Sequence, residues 1–270
     1  MKKFLSIVLT IALALTMVFA ITSCSEKELT IEEIYDAAYK KYSEVDAVDM
    51  DVKMTMGISA QGVSMDMPVE YAIKATGIKS GKLQMSGVVK TSLMGISLEI
   101  PVYTDGEYVY VSMMGEKVKQ PVNESDYNTE IVFDTVKEID SSVFENATLT
   151  KKEDGSKVIE LVYDEETFKK VFDDLISSSM KGLGIDESEI SENVKYRISN
   201  MKQIVTVNSN NDFTSVTGSF DIDIEITDDC ETESAKITTT FESVFNSFGD
   251  DVKVEVPTDL DKYTENSDRS

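Results

Sequence analysis

Val48-Asp49-Met50-Asp51-Val52-Lys53-Met54-Thr55-Met56 places an apolar side chain at every second position and continues to Ile58. Successive side chains of a strand point to opposite faces, so this period of two predicts a strand with one apolar and one wet face. The alternation resumes after Gln61-Gly62 with Val63, Met65, Met67, Val69, Tyr71 and Ile73, and after Ser80-Gly81 with Leu83, Met85 and Val89. It returns after Gly95 with Ile96, Leu98, Ile100 and Val102, and Asp105-Gly106 then turns into Tyr108 to Val111. Strands joined by such short glycine-containing turns predict an antiparallel meander.

Upstream of Ala47 the period changes to that of a helix. Ile31, Ile34, Tyr35, Ala38 and Tyr42 share one face of residues 30 to 45, and Thr30-Ile31-Glu32-Glu33 has the form of a capping box. A helix with one apolar, partly aromatic face must lie on the strands that follow. Farther upstream, Lys2 and Lys3 precede an uncharged run from Phe4 to Ile21, the layout of a secretory signal. Ile21-Thr22-Ser23-Cys24 then resembles the lipobox of bacterial lipoproteins. That resemblance implies cleavage before Cys24 and its acylation, with residues 1–23 as signal peptide and 24–28 as a short tether; an uncleaved membrane anchor is the alternative. Two or more acyl chains would make the anchoring stable.

Downstream, residues Tyr127 to Ile139 suggest a short helix, and strands are expected near Ala147 to Lys152 and Lys157 to Tyr163. Asp164 can cap a helix carrying Phe168, Val171, Phe172, Leu175, Ile176 and Met180 at i, i+3, i+4 spacing, ended by Lys181-Gly182. Residues Glu187 to Asn200 could continue helical through Ile190, Val194 and Ile198. Alternation then returns over Gln203 to Asn208, Val216 to Ile226, Ile237 to Phe245 and Val252 to Val256. With four prolines and 13 glycines, no linker divides the chain. The expectation is one mainly β (α+β) domain over 29–257, of about eight to eleven antiparallel strands with helices on one face. A polar, frayed tail over 258–270 completes it.

Composition narrows the function. The 270 residues include 50 Asp plus Glu against 26 Lys plus Arg, for a formal charge of −24, with no His and no Trp. Without histidine there is no Ser-His-Asp triad, Cys-His dyad or HExxH zinc site. The acidity opposes binding to nucleic acid. Cys24 and Cys230 are the two cysteines, so acylation leaves one thiol and no intramolecular disulfide. Asp221, Asp223 and Glu225 project from one strand face and Asp228, Asp229, Glu231 and Glu233 crowd the next turn, yet no calcium loop frames them and a solvated face explains them. No phosphate loop, dinucleotide fingerprint or nucleophile elbow is present, and neither an enzyme nor a cofactor is expected.

Of 13 methionines, Met50, Met54, Met56, Met65, Met67, Met85, Met94, Met113 and Met114 fall between residues 50 and 114. Methionine is flexible and polarisable and suits a surface that accommodates apolar partners of variable shape, although an ordinary core could also use it. The element order, with Val48 to Met54 after the first helix and Val252-Lys253-Val254-Glu255-Val256-Pro257 near the end, is similar to that of the LolA/LolB and LppX/LprG group of lipoproteins. The resemblance implies a strongly curved, incomplete antiparallel barrel whose concave side is closed by helices around a cavity for acyl chains. Its lining would draw on Met50, Met54, Met56, Met65, Met67, Val69, Tyr71, Met85, Val89, Leu98, Ile100, Phe168 and Phe172. The expected function is a lipid-anchored, extracytoplasmic binder of lipid or another apolar ligand, its protein partners unspecified. The alternative is an interaction or envelope-sensor module with a packed interior and an acidic surface, as in RseB-like regulators.

Overall fold

A computed structural model describes residues 29–93, 95–122, 141–165, 194–228 and 231–265. The helix α1 (Ile31–Ser43) starts as the sequence requires: the Thr30 hydroxyl accepts from the Glu33 N–H, and the Glu33 carboxylate accepts from the Thr30 N–H. Acidic Glu32 and Glu33 in its first turn and basic Lys40 and Lys41 in its last complement the helix dipole.

The meander follows as β1 (Ala47–Ala60), β2 (Val63–Thr76), β3 (Gln84–Leu93), β4 (Ile96–Thr104), β5 (Tyr108–Met113) and β6 (Glu116–Pro121). Then come β7 (Thr148–Lys151), β8 (Lys157–Val162), β9 (Val194–Val207), β10 (Phe213–Asp228), β11 (Glu231–Phe248) and β12 (Thr264–Glu265). All lie in one sheet of order β12-β6-β5-β4-β3-β2-β1-β11-β10-β9-β8-β7. β1 to β11 pair antiparallel and β12 joins β6 in parallel, so the curved sheet is open, ending on β12 and β7. The mainly β architecture expected from the alternation is the one observed.

At one end of the sheet α1 lies on the face that carries Val48 and Met50. Ile34, Tyr35 and Ala38 join Val48, Met50, Ile159, Leu161, Val205, Val207 and Phe213 in the main core. Aromatic rings hold the helix down: Tyr35 meets Phe213 edge-on at 5.6 Å, and Tyr42 meets Phe245 at 5.4 Å. The Lys41 ammonium reaches the β9–β10 turn, donating to the Asn210 carbonyl and to Asp212 Oδ1 at 3.0 Å. Burial against apolar neighbours pushes the Tyr35 phenol well above its ordinary pKa.

Four readings of the sequence change here. Val194 to Asn200, expected to continue a helix, belongs to β9. Val194, Tyr196 and Ile198 also alternate with Lys195, Arg197 and Ser199, and the ladder to Ile226, Ile224 and Ile222 of β10 decides the period. β6 was not anticipated; its signal was Met114-Gly115, a turn that opens the β5–β6 hairpin. Val252 to Val256 forms no ladder but crosses the opposite face of the sheet, where the Glu255 N–H donates to Ser86 Oγ at 3.2 Å and the Lys74 ammonium lies 3.6 Å from the Glu255 carboxylate.

The stretch from Thr258, expected to fray, packs back on the sheet as far as Glu265. Tyr263 stacks edge-on against Tyr110 at 5.4 Å, and with Tyr103 they form a small buried cluster. Lys117 pairs with Asp259 and lies 5.5 Å from the Tyr263 ring centre. Residues 252–265 thus make a strap across the face opposite α1. Beneath it the Tyr110 hydroxyl donates to Asp105 Oδ2 at 2.9 Å. Burial and then that bond push the Tyr110 pKa up to about 12.

Hairpin tips β10–β11, β1–β2, β3–β4 and β5–β6 all lie at the end of the sheet away from α1. Each outreaches the next: β11 continues beyond the Ala60–Ala235 pair, β2 beyond the Val69–Thr91 pair, and β4 beyond the Val102–Val111 pair. Such stagger is that of strands tilted across a curved sheet, and it forms the tips into one rim.

Candidate functional site

Register gathers the alternating residues into rows across one face. Met50 lies beside Ile73, Val52 beside Tyr71, Met54 beside Val69, Met56 beside Met67, and Ile58 beside Met65. The rows extend from Tyr71 to Val89 and Ile100, from Val69 through Thr91 to Leu98, and from Ala75 to Met85. Every described residue expected to line an apolar site therefore stands on the face that carries α1.

Burial divides that face. Under α1, Val48 and Met50 are no more than 1% exposed. Toward the rim, Met54, Met56, Met67, Val69, Tyr71, Val89, Leu98 and Ile100 are half-buried, and Met65 is exposed. Met85 is half-buried and packs on the main core. Met113 and Met114 are exposed at the β5–β6 tip instead. Met94, Phe168, Phe172, Cys24 and Cys230 lie outside the described residues, as do the helices expected over 127–139 and 165–180 apart from Glu165.

The apolar face contains few polar groups. Ser243, beside Val52, is fully buried with its hydroxyl unpartnered, and Thr239, beside Met56, is 6% exposed. Gln203 Oε1 accepts from the Tyr163 hydroxyl at 2.6 Å, and burial pushes the Tyr163 phenol up. A backbone contact marks the boundary between the two ends: the Phe241 ring lies over Gly218, where a Cβ would collide with it.

Among the described residues, open cavities lie on the other face. One, of about 460 Å³, is bordered by the hydroxyls of Thr55, Thr217, Ser219 and Thr240 between Lys53, Lys202 and Glu242. The second, of about 710 Å³, lies behind the β1–β2 tip, with Lys195, Arg197 and Lys236 facing Asp223 and Glu225. Sequence reasoning passed over both because these residues occupy the wet positions of alternating strands. Of the acidic trio on β10, Asp221 accepts from Lys236 at 2.9 Å and from Asn200 at 2.8 Å, which hold its carboxyl below the usual value. Among the described residues no cluster of three or more His, Cys, Asp or Glu is placed to hold a metal ion, and no helix is long and apolar enough to cross a membrane.

Residues 30–265 match the sequence profile of one protein family of unknown function. The chain belongs to the DUF6612 family. No curated protein matches this DUF6612 chain by sequence. Among solved structures it is similar to LprF from Mycobacterium bovis, at 10% identity and a TM-score of 0.42 over 84% of this chain and 96% of that one. A DUF1329 family protein from Desulfovibrio piger is similar at 11% identity and 0.26, over 80% and 93% of the two chains. A putative outer membrane lipoprotein-sorting protein domain from Vibrio parahaemolyticus is similar at 9% and 0.24, over 81% and 93%. The architecture of the DUF6612 chain rests on its own strand order.

Proposed function

We propose that this DUF6612 protein is a non-enzymatic, extracytoplasmic lipoprotein, anchored through Cys24, that binds lipid or another apolar ligand on its methionine-rich face. One observation carries the reading. Register places Met54, Met56, Met65, Met67, Val69, Leu98 and Ile100 together on one side of β1 to β4, half-buried or exposed, and directly continuous with a closed core. Such a surface binds by removing apolar area from water, at about 25 cal/mol per Å². Its flexible thioethers fit chains of varied shape, and a few hydroxyls suffice to orient a head group. Fold likeness adds nothing about the ligand; the lipobox supports the anchor.

The test is native against denaturing mass spectrometry of Ser25 to Ser270, purified without detergent. A dissociable phospholipid, glycolipid or fatty acid is the expected result. Met54→Gln or Met67→Gln should lower uptake of a fluorescent fatty acid by about fivefold, roughly 1 kcal/mol, with the urea midpoint almost unchanged. An interaction module is the second reading, favoured by the closed packing beneath α1. An apo mass with no fatty-acid uptake would sink the binder in its favour.

A further inference from the structure

Three of the four tips on the rim carry a pattern that ligand binding does not require; the fourth, β10–β11, is acidic, with Asp228, Asp229, Glu231 and Glu233 in its sequence. Residues 54–65, 91–98 and 108–115 contain no charged side chain, although 28% of the chain is Asp, Glu, Lys or Arg. These three stretches enclose the turns of three successive hairpins, β1–β2, β3–β4 and β5–β6, which the meander brings to the same end of the sheet. Each tip presents apolar side chains to solvent: Val63 is 71% exposed, Ile96 60%, Met113 47% and Met114 78%. The turns at the other end are charged, with Lys79 and Lys82 between β2 and β3 and Asp105 and Glu107 between β4 and β5. Isolated exposed apolar residues need no explanation, but a charge-free row of them on an acidic chain does.

We propose that these three hairpin tips seat against the surface of a lipid bilayer, with Val63, Ile96, Met113 and Met114 entering the interface between head groups and acyl chains. The inference rests on the reading of Cys24 as the lipid anchor. From Cys24 to Leu29 is a span of five residues, which at no more than about 3.5 Å each keeps Leu29, at the start of α1, within about 18 Å of the bilayer. A body so confined, with a formal charge of −24, is repelled by anionic lipid wherever carboxylates face the surface. The three tips offer apolar contact, bounded on the β10–β11 side by Glu233, which accepts from the Gln61 side chain at 2.8 Å. Docking there brings the open part of the methionine face next to the lipid from which a ligand would come.

The absence of tryptophan makes the test direct, because one introduced indole reports alone. Full-length lipidated chain carrying Val63→Trp, Ile96→Trp or Met113→Trp is reconstituted into phosphatidylcholine vesicles, with Lys79→Trp as the control at the charged end. The tip variants should shift to the blue and lose about half their emission to lipid brominated near the head group, as expected for side chains about 5–10 Å into the interface. Lys79→Trp should stay unquenched. Three positions guard against one variant that fails to fold. Vesicle-bound chain whose tip tryptophans are quenched no more than Lys79→Trp overturns the rim contact and leaves the anchor standing. A Cys24→Ser chain processed and floated like the parent overturns the anchor reading, and the confinement argument with it. A blue shift that depends on protein concentration and needs no vesicles assigns the tips to a second copy, and also overturns the proposal.

Discussion

The two ends of the methionine face differ although they are built from the same strands and the same alternation. Met50 and Met56 lie on one strand, on one face, six residues apart in sequence; the first is wholly buried and the second only half. Tyr35, Tyr42, Phe213 and Phe245 fill the space above the Met50 end, while the Met56 end leads to tips that are open to water. A strand pattern therefore assigns a residue to a face, but the element packed on that face decides whether the residue is core or surface. The same methionine chemistry yields stability at one end and, in our reading, binding at the other.

The sharpest way to break this comparison is a matched pair of truncations. Met50→Ala should cost about 2–5 kcal/mol, because its site is closed and only partly able to collapse. Met56→Ala should cost less than about 1 kcal/mol, because part of that side chain is already in contact with water. Urea unfolding of the two variants measures both, and equal losses would mean that the rim end is core as well.

A smaller effect is expected at the boundary. Gly218→Ala forces a Cβ against the Phe241 ring. Phe241 must swing toward the rim, and the overpacking should cost about 1–3 kcal/mol. If the apolar face is the binding surface, this variant should change fatty-acid uptake more than the more distant Met50→Ala does at matched stability.

The opposite face, held by the strap, should respond to acid. Burial alone would raise the Asp105 carboxyl, but the N–H groups of Tyr108 and Glu107 and the Tyr110 hydroxyl together hold it below the usual carboxylate value. The Lys117 ammonium does the same for Asp259. A carboxyl with a lowered folded pKa stabilises the fold above its unfolded value, about 3.9. That stability is lost as pH falls through the folded value. Near-ultraviolet circular dichroism of the tyrosine cluster should therefore weaken below about pH 4, while the α1 end, held by apolar contacts, responds less. Asp105→Asn should weaken the signal at neutral pH. An acid response that begins at α1 would reverse the assignment.

Much of the architecture was legible in the chain because local physics leaves little choice. The capping box at Thr30 and Glu33 satisfies N–H groups that a helix start exposes. The period of two from Val48 to Val102 admits one backbone, and glycine at positions 62, 81 and 95 marks its turns. These signals act within a few residues, so sequence alone reveals them. Contacts distant in sequence settled the remainder. Val194 to Asn200 carried both a helical and a strand period, and pairing with β10 chose between them. Val252 to Val256 alternated without finding a strand partner, because Ser86 and the tyrosines of β4 and β5 offered a better surface. Met50 and Met56 are equivalent in pattern, and α1, folded back over the first residues of β1 with Phe213 and Phe245, made one of them core. Periodicity is set by backbone geometry within one segment; burial depends on what another segment covers, and that is decided in three dimensions.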